Sequence, residues 1–153
     1  MTFAVIKMRG TVKTKPDVRR TLELLNLSRT NHCVLVDDNV HYNGMLQKVK
    51  DYVAWGNVDD ATLFVLLQKR GRLTGHKKLT DEYVKDHTDF KDISSLATAV
   101  ARGQATLQAV PNLKTVFRLH PPRKGHKGIK KPFPEGVLGF NGDKINELLQ
   151  KMR

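Results

Sequence analysis

Apolar residues in the first third of the chain follow two patterns, short continuous runs and repeats at helical spacing. Residues 3–6 and 33–36 are continuous apolar runs, which are typical of strands buried on both faces. Between them, Pro16 suits a first helical turn, and the apolar residues after it recur on one helix face. Because the two strands are joined through a helix, we expect them to run parallel.

More helices are predicted after the second strand. Asn43 is the predicted N-cap of the second helix, because its side chain can accept a hydrogen bond from a first-turn N–H, and the apolar face extends to Val53. Aspartate is also favoured at helix starts. Further helices in the middle of the chain are predicted to begin at Asp59 or Asp60, at Asp81 and at Asp92.

A third strand and a closing helix complete the pattern. Residues 115–119 are β-branched and aromatic, which predicts the last strand of the chain. Asp143 opens a final helix with one apolar face. These elements predict an α/β fold, more narrowly α+β, in which helices cover one face of the sheet.

No linker divides this pattern, and a length of 153 residues predicts a single domain. Its predicted parts are a core at 1–53 and 114–119, a helical insertion at 54–113, a basic extension at 120–140 and a C-terminal helix at 141–153.

The chain has a net charge of +12, which indicates an anionic binding partner. No acidic residue lies between Asp92 and Glu135, and the prolines and glycines of residues 121–132 deny this stretch a helix or a central strand. A segment this cationic repels itself and needs an anion to lie against. Nucleic acid or an anionic membrane surface is favoured, and no apolar run approaches the ~18 residues that span a bilayer.

Few residues suggest catalysis or metal binding. Asp37, Asp38 and His41 follow a predicted strand, an arrangement found in some nucleases, but no other residue completes a site and aspartate also favours turns. A single cysteine and scattered histidines lack the ligand spacing of a zinc site. We therefore expect no catalytic residue, no metal and no cofactor.

Three other features each allow two interpretations. Cys33 is interpreted as a core residue rather than a reactive thiol, and one cysteine forms no internal disulfide, which suits a reducing cytosol. Trp55 is interpreted as core rather than as a base-stacking residue. The segment GRLTGHKK at 71–78 has one residue too few for a phosphate loop and lacks the Ser or Thr after lysine, so nucleotide binding is not expected.

Five stretches, in order along the whole chain, resemble one protein family. They are FAVIKMRGTVKTKPDVRRTLELLNLSRTNHCVLVDDN at 3–39, YNGML at 42–46, YVAWG at 52–56, FRLHPPRKG at 117–125 and GVLGFNGDKINELLQKM at 136–152. Together they are similar to the archaeal and eukaryotic branch of the large-subunit ribosomal protein thirty family. Short bacterial members lack most of residues 54–113, and eukaryotic members usually carry a long basic N-terminal arm, so we expect an archaeal source.

The resemblance implies a ferredoxin-like β-α-β-α-β core with a helical insertion before the last strand, a basic extended loop and a terminal helix. It also implies a non-catalytic, structural role in the cytoplasmic ribosome, bound to large-subunit rRNA. Neighbouring large-subunit ribosomal proteins are further expected partners, whereas contact with the small 5S-type rRNA stays open. No membrane and no small-molecule substrate is expected. The rival functions are a free-standing RNA-binding protein and a basic nuclease.

Given the resemblance, basic, stacking and close-approach residues are the expected rRNA contacts, and each group has a solvated surface as its alternative. The first group is Lys13, Lys15, Arg19 and Arg20. The second is Arg29, His41, Tyr42, Asn43 and Gly44. The third is Lys69, Arg70, Arg72, His76, Lys77 and Lys78. The fourth is Arg118, His120, Arg123, Lys124, His126, Lys127, Lys130 and Lys131, most of it in a loop that we expect to become ordered only against RNA.

Overall fold

A computed structural model describes residues 1–153 and contains one five-stranded sheet and six α-helices. The strands are β1 (Thr2–Lys7), β2 (His32–Asp37), β3 (Val53–Asn57), β4 (Val116–Arg118) and β5 (Gly139–Phe140). The helices are α1 (Pro16–Leu24), α2 (Val40–Val49), α3 (Asp60–Arg70), α4 (Asp81–His87), α5 (Ile93–Ala101) and α6 (Ile145–Met152). The strand order is β4-β2-β1-β3-β5, which confirms the predicted α+β class with a β-α-β-α-β core.

The central strand β1 runs antiparallel to both of its neighbours, so the prediction that β1 and β2 are parallel is wrong. The reason lies in the connection between them. After the short helix α1, the chain returns to the end of the sheet at which β1 stops, and the N–H of Asn31 donates to the carbonyl oxygen of Lys7 over 2.8 Å. From that end, β2 can only run back alongside β1.

The strand β3 occupies a segment that the sequence pattern assigned to a helix and to the helical insertion. Helix α2 ends at Val49, and Val53 opens β3, whose first four residues are all buried. An apolar run this short fits a strand or a buried helical turn equally well on periodicity alone. The β-α-β-α-β core is therefore contiguous from β1 to β3, and the helices α3 to α5 follow it. The prediction that 115–119 is the last strand is also wrong, because β5 follows and pairs parallel to β3.

Helices cover both faces of the sheet, whereas one covered face was predicted. On one face, Ala4 and Ile6 of β1 pack in an apolar cluster with residues of α3, α5 and α6. On the other, Phe3 and Val5 pack with residues of α1 and α2. Side chains of a strand alternate between its faces, so the continuous apolar run in β1 reflects burial on both sides, as the run itself had indicated.

Most helix starts follow the predicted residues, and the exceptions are α2 and α6, because α6 begins at Ile145 after a short 3₁₀ turn, Gly142–Lys144, that contains the predicted Asp143. Helices α3, α4 and α5 begin directly at or after Asp59, Asp81 and Asp92. The N-cap of α2 is Asn39, whose side-chain oxygen accepts from the Tyr42 N–H over 2.8 Å, so the prediction of Asn43 as the cap is wrong. Asn43 lies inside α2 and donates to Asp38 over 3.0 Å.

Candidate nucleic-acid interface

At one end of the sheet β1 and β4 finish, and β2 and β3 begin. The N–H of Asn31 donates to Lys7 over 2.8 Å, and the carbonyl oxygen of Asn31 accepts from the Leu119 N–H over 3.0 Å. We call this region the basic end, defined by these termini and the loops 8–15, 25–31 and 119–131 attached to them. The chain therefore brings together cations that are far apart in sequence.

A row of three cationic or titratable side chains crosses the basic end. The register pairs His32 with Arg118, and the pairing of Ile6 with Cys33 places Lys7 opposite His32 on the other side. Directly opposed residues share a face of the sheet. Lys7, His32 and Arg118, which we call the basic row, therefore lie side by side on the face covered by α1 and α2.

Lys7 is an unusual member of this row, because its side chain is only 2% exposed. Its ammonium donates to the carbonyl oxygen of Ser28 over 2.8 Å and has no carboxylate partner. Burial lowers the pKa of Lys7, the Arg19 guanidinium lowers it further, and Glu23 raises it. The basic end thus contains a positive charge beneath its surface as well as upon it.

His32 lies between two cations and is half-buried. Its Nδ1 atom is buried and has no hydrogen-bond partner within the chain. Burial lowers the pKa of His32, and the positive charges of Arg118, Arg29 and Lys7 lower it further. The free protein therefore favours the neutral imidazole at this position.

The basic loop, residues 120–131, leaves β4 at the same end of the molecule. It contains no helix or strand, as predicted, but its backbone is anchored to the end of α6. The N–H of His120 donates to Met152 over 2.9 Å, and the N–H of Arg123 donates to Lys151 over 3.0 Å. Five lysine and arginine side chains of the loop are exposed: Arg123, Lys124, Lys127, Lys130 and Lys131.

A crevice of about 480 Å³ separates the basic loop from the loops on either side of α1. His126 and Ile129 of the basic loop form one wall, and Arg9 and Asn31 belong to the opposite wall. Burial lowers the pKa of His126, whose Nδ1 atom is buried without a hydrogen-bond partner. The basic loop therefore folds back over the basic end instead of projecting from it.

The predicted group around the start of α1 belongs to the same region. Lys13, Lys15, Arg19 and Arg20 are all exposed. Arg19 donates to the carbonyl oxygen of Thr11 over 3.3 Å, which places its guanidinium over the loop that follows β1. These side chains continue the positive surface of the basic end onto the start of α1.

The predicted group of residues 69–78 lies at the end of α3, beside the edge of the sheet formed by β4. The N–H of Lys114 donates to the carbonyl oxygen of Arg72 over 2.9 Å, and the backbones of Arg72 and Lys78 form an isolated antiparallel β-bridge. The side chains of Lys69, His76, Lys77 and Lys78 are exposed, whereas Arg70 and Arg72 are half-buried. Burial lowers the pKa of Arg70, and the nearby Arg72 lowers it further.

The remaining predicted group does not form a single patch. Arg29 precedes β2 at the basic end, whereas His41, Asn43 and Gly44 follow β2 in the first turns of α2. The full length of β2 separates them, because the chain crosses the sheet between these positions. Tyr42 is half-buried and packs against the apolar cluster beneath α1 and α2.

Acidic residues gather at the opposite end of the sheet, where β1 begins and β2 and β3 finish. Asp37 pairs with Thr2, and a pocket there is lined by three acids, Asp59, Asp60 and Asp143, and one cation, Arg102. Helices α3 and α6 begin at this end, so the acids complement their positive dipole ends. Asp37, Asp38 and His41 are exposed here, and no group of three or more metal-ligating side chains occurs in the chain.

Three residues of the basic end, Lys7, Arg9 and His32, were not among the predicted RNA contacts, and neither was Lys114, which lies before β4 beside Arg72. Lys7 follows Phe3 and Val5 at alternate positions of β1, and this period of two marks it as inward-facing. That signal was present in the sequence, whereas the position of Lys114 depends on its backbone hydrogen bond to the distant Arg72.

Two core assignments are confirmed by burial. Cys33 is fully buried, and burial raises the pKa of its thiol to about 12. Trp55 is 4% exposed and packs in the cluster with Phe3 and Val5. None of the helices is long and apolar enough to cross a membrane.

The fold and its charge distribution define a class, a small α+β protein with a basic end formed by strand termini and an extended loop. Comparisons with known proteins identify the family within it. The profile described as "Ribosomal protein L30p/L7e" matches residues 3–53. The chain is 54% identical over 151 residues to "Large ribosomal subunit protein uL30" of Archaeoglobus fulgidus, with 99% of both chains covered.

Other archaeal relatives are similar to the same extent. The proteins of the same name from Methanothrix thermoacetophila and Methanoculleus marisnigri are 53% and 52% identical over 152 residues, again with 99% of each chain covered. The chain therefore belongs to the ribosomal protein L30p/L7e family and to its archaeal branch, as the sequence resemblance predicted. Members of this family are structural components rather than enzymes, which confirms that the chain is not a nuclease.

Proposed function

We propose that this protein is a structural constituent of the large ribosomal subunit that binds and stabilises folded large-subunit rRNA. The basic end and the basic loop form its RNA-binding surface, extended by the cations at the start of α1 and by residues 69–78. Neighbouring ribosomal proteins contact the rest of the surface, including the acidic end. The names of the archaeal relatives support the ribosomal assignment.

The separation of charge carries this proposal. The chain has 27 lysines and arginines against 15 acids, yet it forms only one ion pair, between Lys131 and Glu135 at 3.5 Å. The cations of the basic end are thus left without carboxylate partners, and a surface of this kind is suited to a polyanion. The acids at the other end would repel the same polyanion, so the protein has a defined orientation toward RNA.

The binding is electrostatic and depends on RNA shape. A lysine or arginine that neutralises a phosphate releases condensed counterions, so log affinity falls with log salt by about 0.7 to 0.9 per contact. Base edges of an A-form duplex lie in a deep, narrow groove, which favours recognition of backbone geometry over sequence. An extended loop can follow such a backbone where a helix could not enter.

Sedimentation with ribosomal subunits tests the proposal. In an archaeal lysate at low salt, a tagged copy of the protein should sediment with the large subunit and should be released as salt is raised. A protein that stays in the free fraction at low salt would exclude the ribosomal assignment and favour a free-standing RNA-binding protein.

A further inference from the structure

The basic row contains a charge that costs stability in the free protein. The Lys7 side chain is 2% exposed, and its ammonium has a single hydrogen-bond partner, Ser28, and no carboxylate. A buried charge without a counter-ion is unfavourable, and an apolar side chain of similar volume is often more stable at such a position. Lys7 therefore carries a positive charge that no carboxylate of the protein neutralises.

The charged groups around the basic row are predominantly positive. Arg19 of α1 acts on Lys7, Arg29 and Arg118 act on the neighbouring His32, and Glu23 of α1, which acts on Lys7, is the one acid. Glu23 lies beyond ion-pair distance of any cation. A cluster with this balance attracts an anion.

A groove of about 520 Å³ opens beside the basic row. Its lining includes His32, Arg118 and Lys114, the polar residues Asn26 and Ser28, and one carboxylate, Glu23. No Phe, Tyr or Trp lines it, so it offers no platform on which a base could stack. The arginine and lysine donors at this groove instead match the oxygens of a phosphate group.

We propose that the basic row, with Lys114, is a built site for one backbone phosphodiester group of RNA. Arg118 and Lys114 donate to the phosphate oxygens, and His32 does so as an imidazolium. Lys7 lies beneath them and supplies positive potential from below. This site rests on the proposed function and gives it one defined point of contact that the exposed loop cations do not provide.

Replacement of Lys7 by methionine tests the site, because it has two effects of opposite sign. Lys7→Met keeps the length and the apolar stem but removes the buried charge, so the free protein should unfold at a higher temperature. The same variant should bind large-subunit rRNA of Archaeoglobus fulgidus about fivefold to tenfold more weakly. Lys85→Met, at an exposed position of α4 among acidic residues, is the matched control and should change neither quantity.

A structural role for Lys7 predicts the opposite result. If its bond to Ser28 mainly holds the α1–β2 loop, Lys7→Met lowers the unfolding temperature, and that outcome overturns the proposal. Arg118→Met gives an independent reading because this side chain is exposed and its loss should leave folding intact. Unchanged rRNA affinity in Arg118→Met would also overturn the site.

The pH dependence of rRNA binding is a third test of the site. Phosphate beside His32 favours the imidazolium, so rRNA binding should strengthen as pH falls from about 7.5 to 6, and His32→Gln should reduce that dependence. An equal pH dependence in the variant contradicts the role of His32. Inorganic phosphate in place of RNA tests whether the anion is a free phosphate. If phosphate alone stabilises the wild type and Lys7→Met does not change rRNA binding, the site belongs to a free anion and the proposal is overturned.

The failure of this site and the failure of the proposed function are distinguishable. If the wild type binds rRNA and loop variants weaken it while the basic-row variants do not, only the site is wrong. If the wild type does not bind rRNA at all, the proposed function fails and the site fails with it.

Discussion

The backbone N–H of His120 donates to the carbonyl oxygen of Met152 over 2.9 Å, so the first residue of the basic loop is held by the last residue of α6. Met152 is itself fully buried in the larger apolar cluster. The basic loop thus leaves a fixed point of the core, and its exposed cations extend from there without contributing to packing. Function and stability should therefore separate in this loop.

Loss of three loop cations should weaken RNA binding and spare the fold. The triple variant Arg123→Ala, Lys124→Ala, Lys127→Ala removes exposed side chains, so its unfolding temperature should match the wild type. The slope of log affinity for rRNA against log salt should fall by about 2 to 3, from about 0.7 to 0.9 per lost contact. Filter binding over a salt series measures it, with the double variant Lys85→Ala, Lys91→Ala as the control.

The outcome for the fold is as informative as the outcome for binding. A triple variant that unfolds would show that these side chains pack into the body of the protein. An unchanged salt slope would show that they do not meet phosphate.

Gly56 of β3 should not tolerate a side chain. A Cβ at this position would overlap the carbonyl oxygen of Gly142, in the turn before α6. Gly56→Ala must push that backbone away, and we expect a loss of about 3 kcal/mol in the free energy of unfolding. Urea denaturation measures it, and a value near the wild type would contradict the packing of α6 against β3.

Gly44 gives a matched comparison because nothing lies near the position of an added Cβ. It sits inside α2, where alanine is favoured over glycine by about 0.5 to 1 kcal/mol, so Gly44→Ala should stabilise the protein. This glycine was expected to admit close approach of RNA, but α2 begins at the acidic end. Unchanged rRNA affinity in Gly44→Ala would agree with the observed geometry, and a large loss would restore the earlier expectation.

Stability should decline on acidification partly through two histidines. Burial lowers the pKa of His32 and of His126 in the folded state. The unfolded chain, with an ordinary pKa of about 6.5, then binds more protons, so this contribution is fully present above that value and is lost as pH falls through the lowered folded pKa. Thermal unfolding of the wild type and of His32→Gln between pH 5 and pH 7 checks it, and the variant should show the shallower decline.

The thiol of Cys33 should be inert in the folded protein. It is fully buried between β1 and β4, and burial raises its pKa to about 12, so the reactive thiolate is scarce at pH 8. Alkylation by iodoacetamide at pH 8 should be slow in buffer and fast in urea, as mass spectrometry would show. Rapid labelling of the native protein would contradict the position of Cys33 in the sheet.

The sequence predicted those parts of the fold that have a strong local signal. The buried runs at β1 and β2 and the aspartates at the starts of α3, α4 and α5 are local features, and all of them were located correctly. Strand direction depends on where α1 returns the chain, and the strand β3 is too short for its period to exclude a helix. Neither the strand direction nor the strand β3 can be inferred from the residues nearby.

The candidate site was only partly predictable from the sequence. A run of cations without acids marks the basic loop and residues 69–78 from composition alone. The separation of Arg29 from His41 and the alignment of Lys7, His32 and Arg118 depend on register, which couples distant segments. A lysine in the alternating pattern of a buried strand was the one available clue to the basic row.

A density map of an archaeal large subunit containing this protein tests the central claim most directly. We predict rRNA phosphates within hydrogen-bond distance of Arg123, Lys124 and Lys127, with the acidic end facing away from RNA. A map in which the basic loop and the basic end face solvent or other proteins, with no nucleotide near them, would contradict the account.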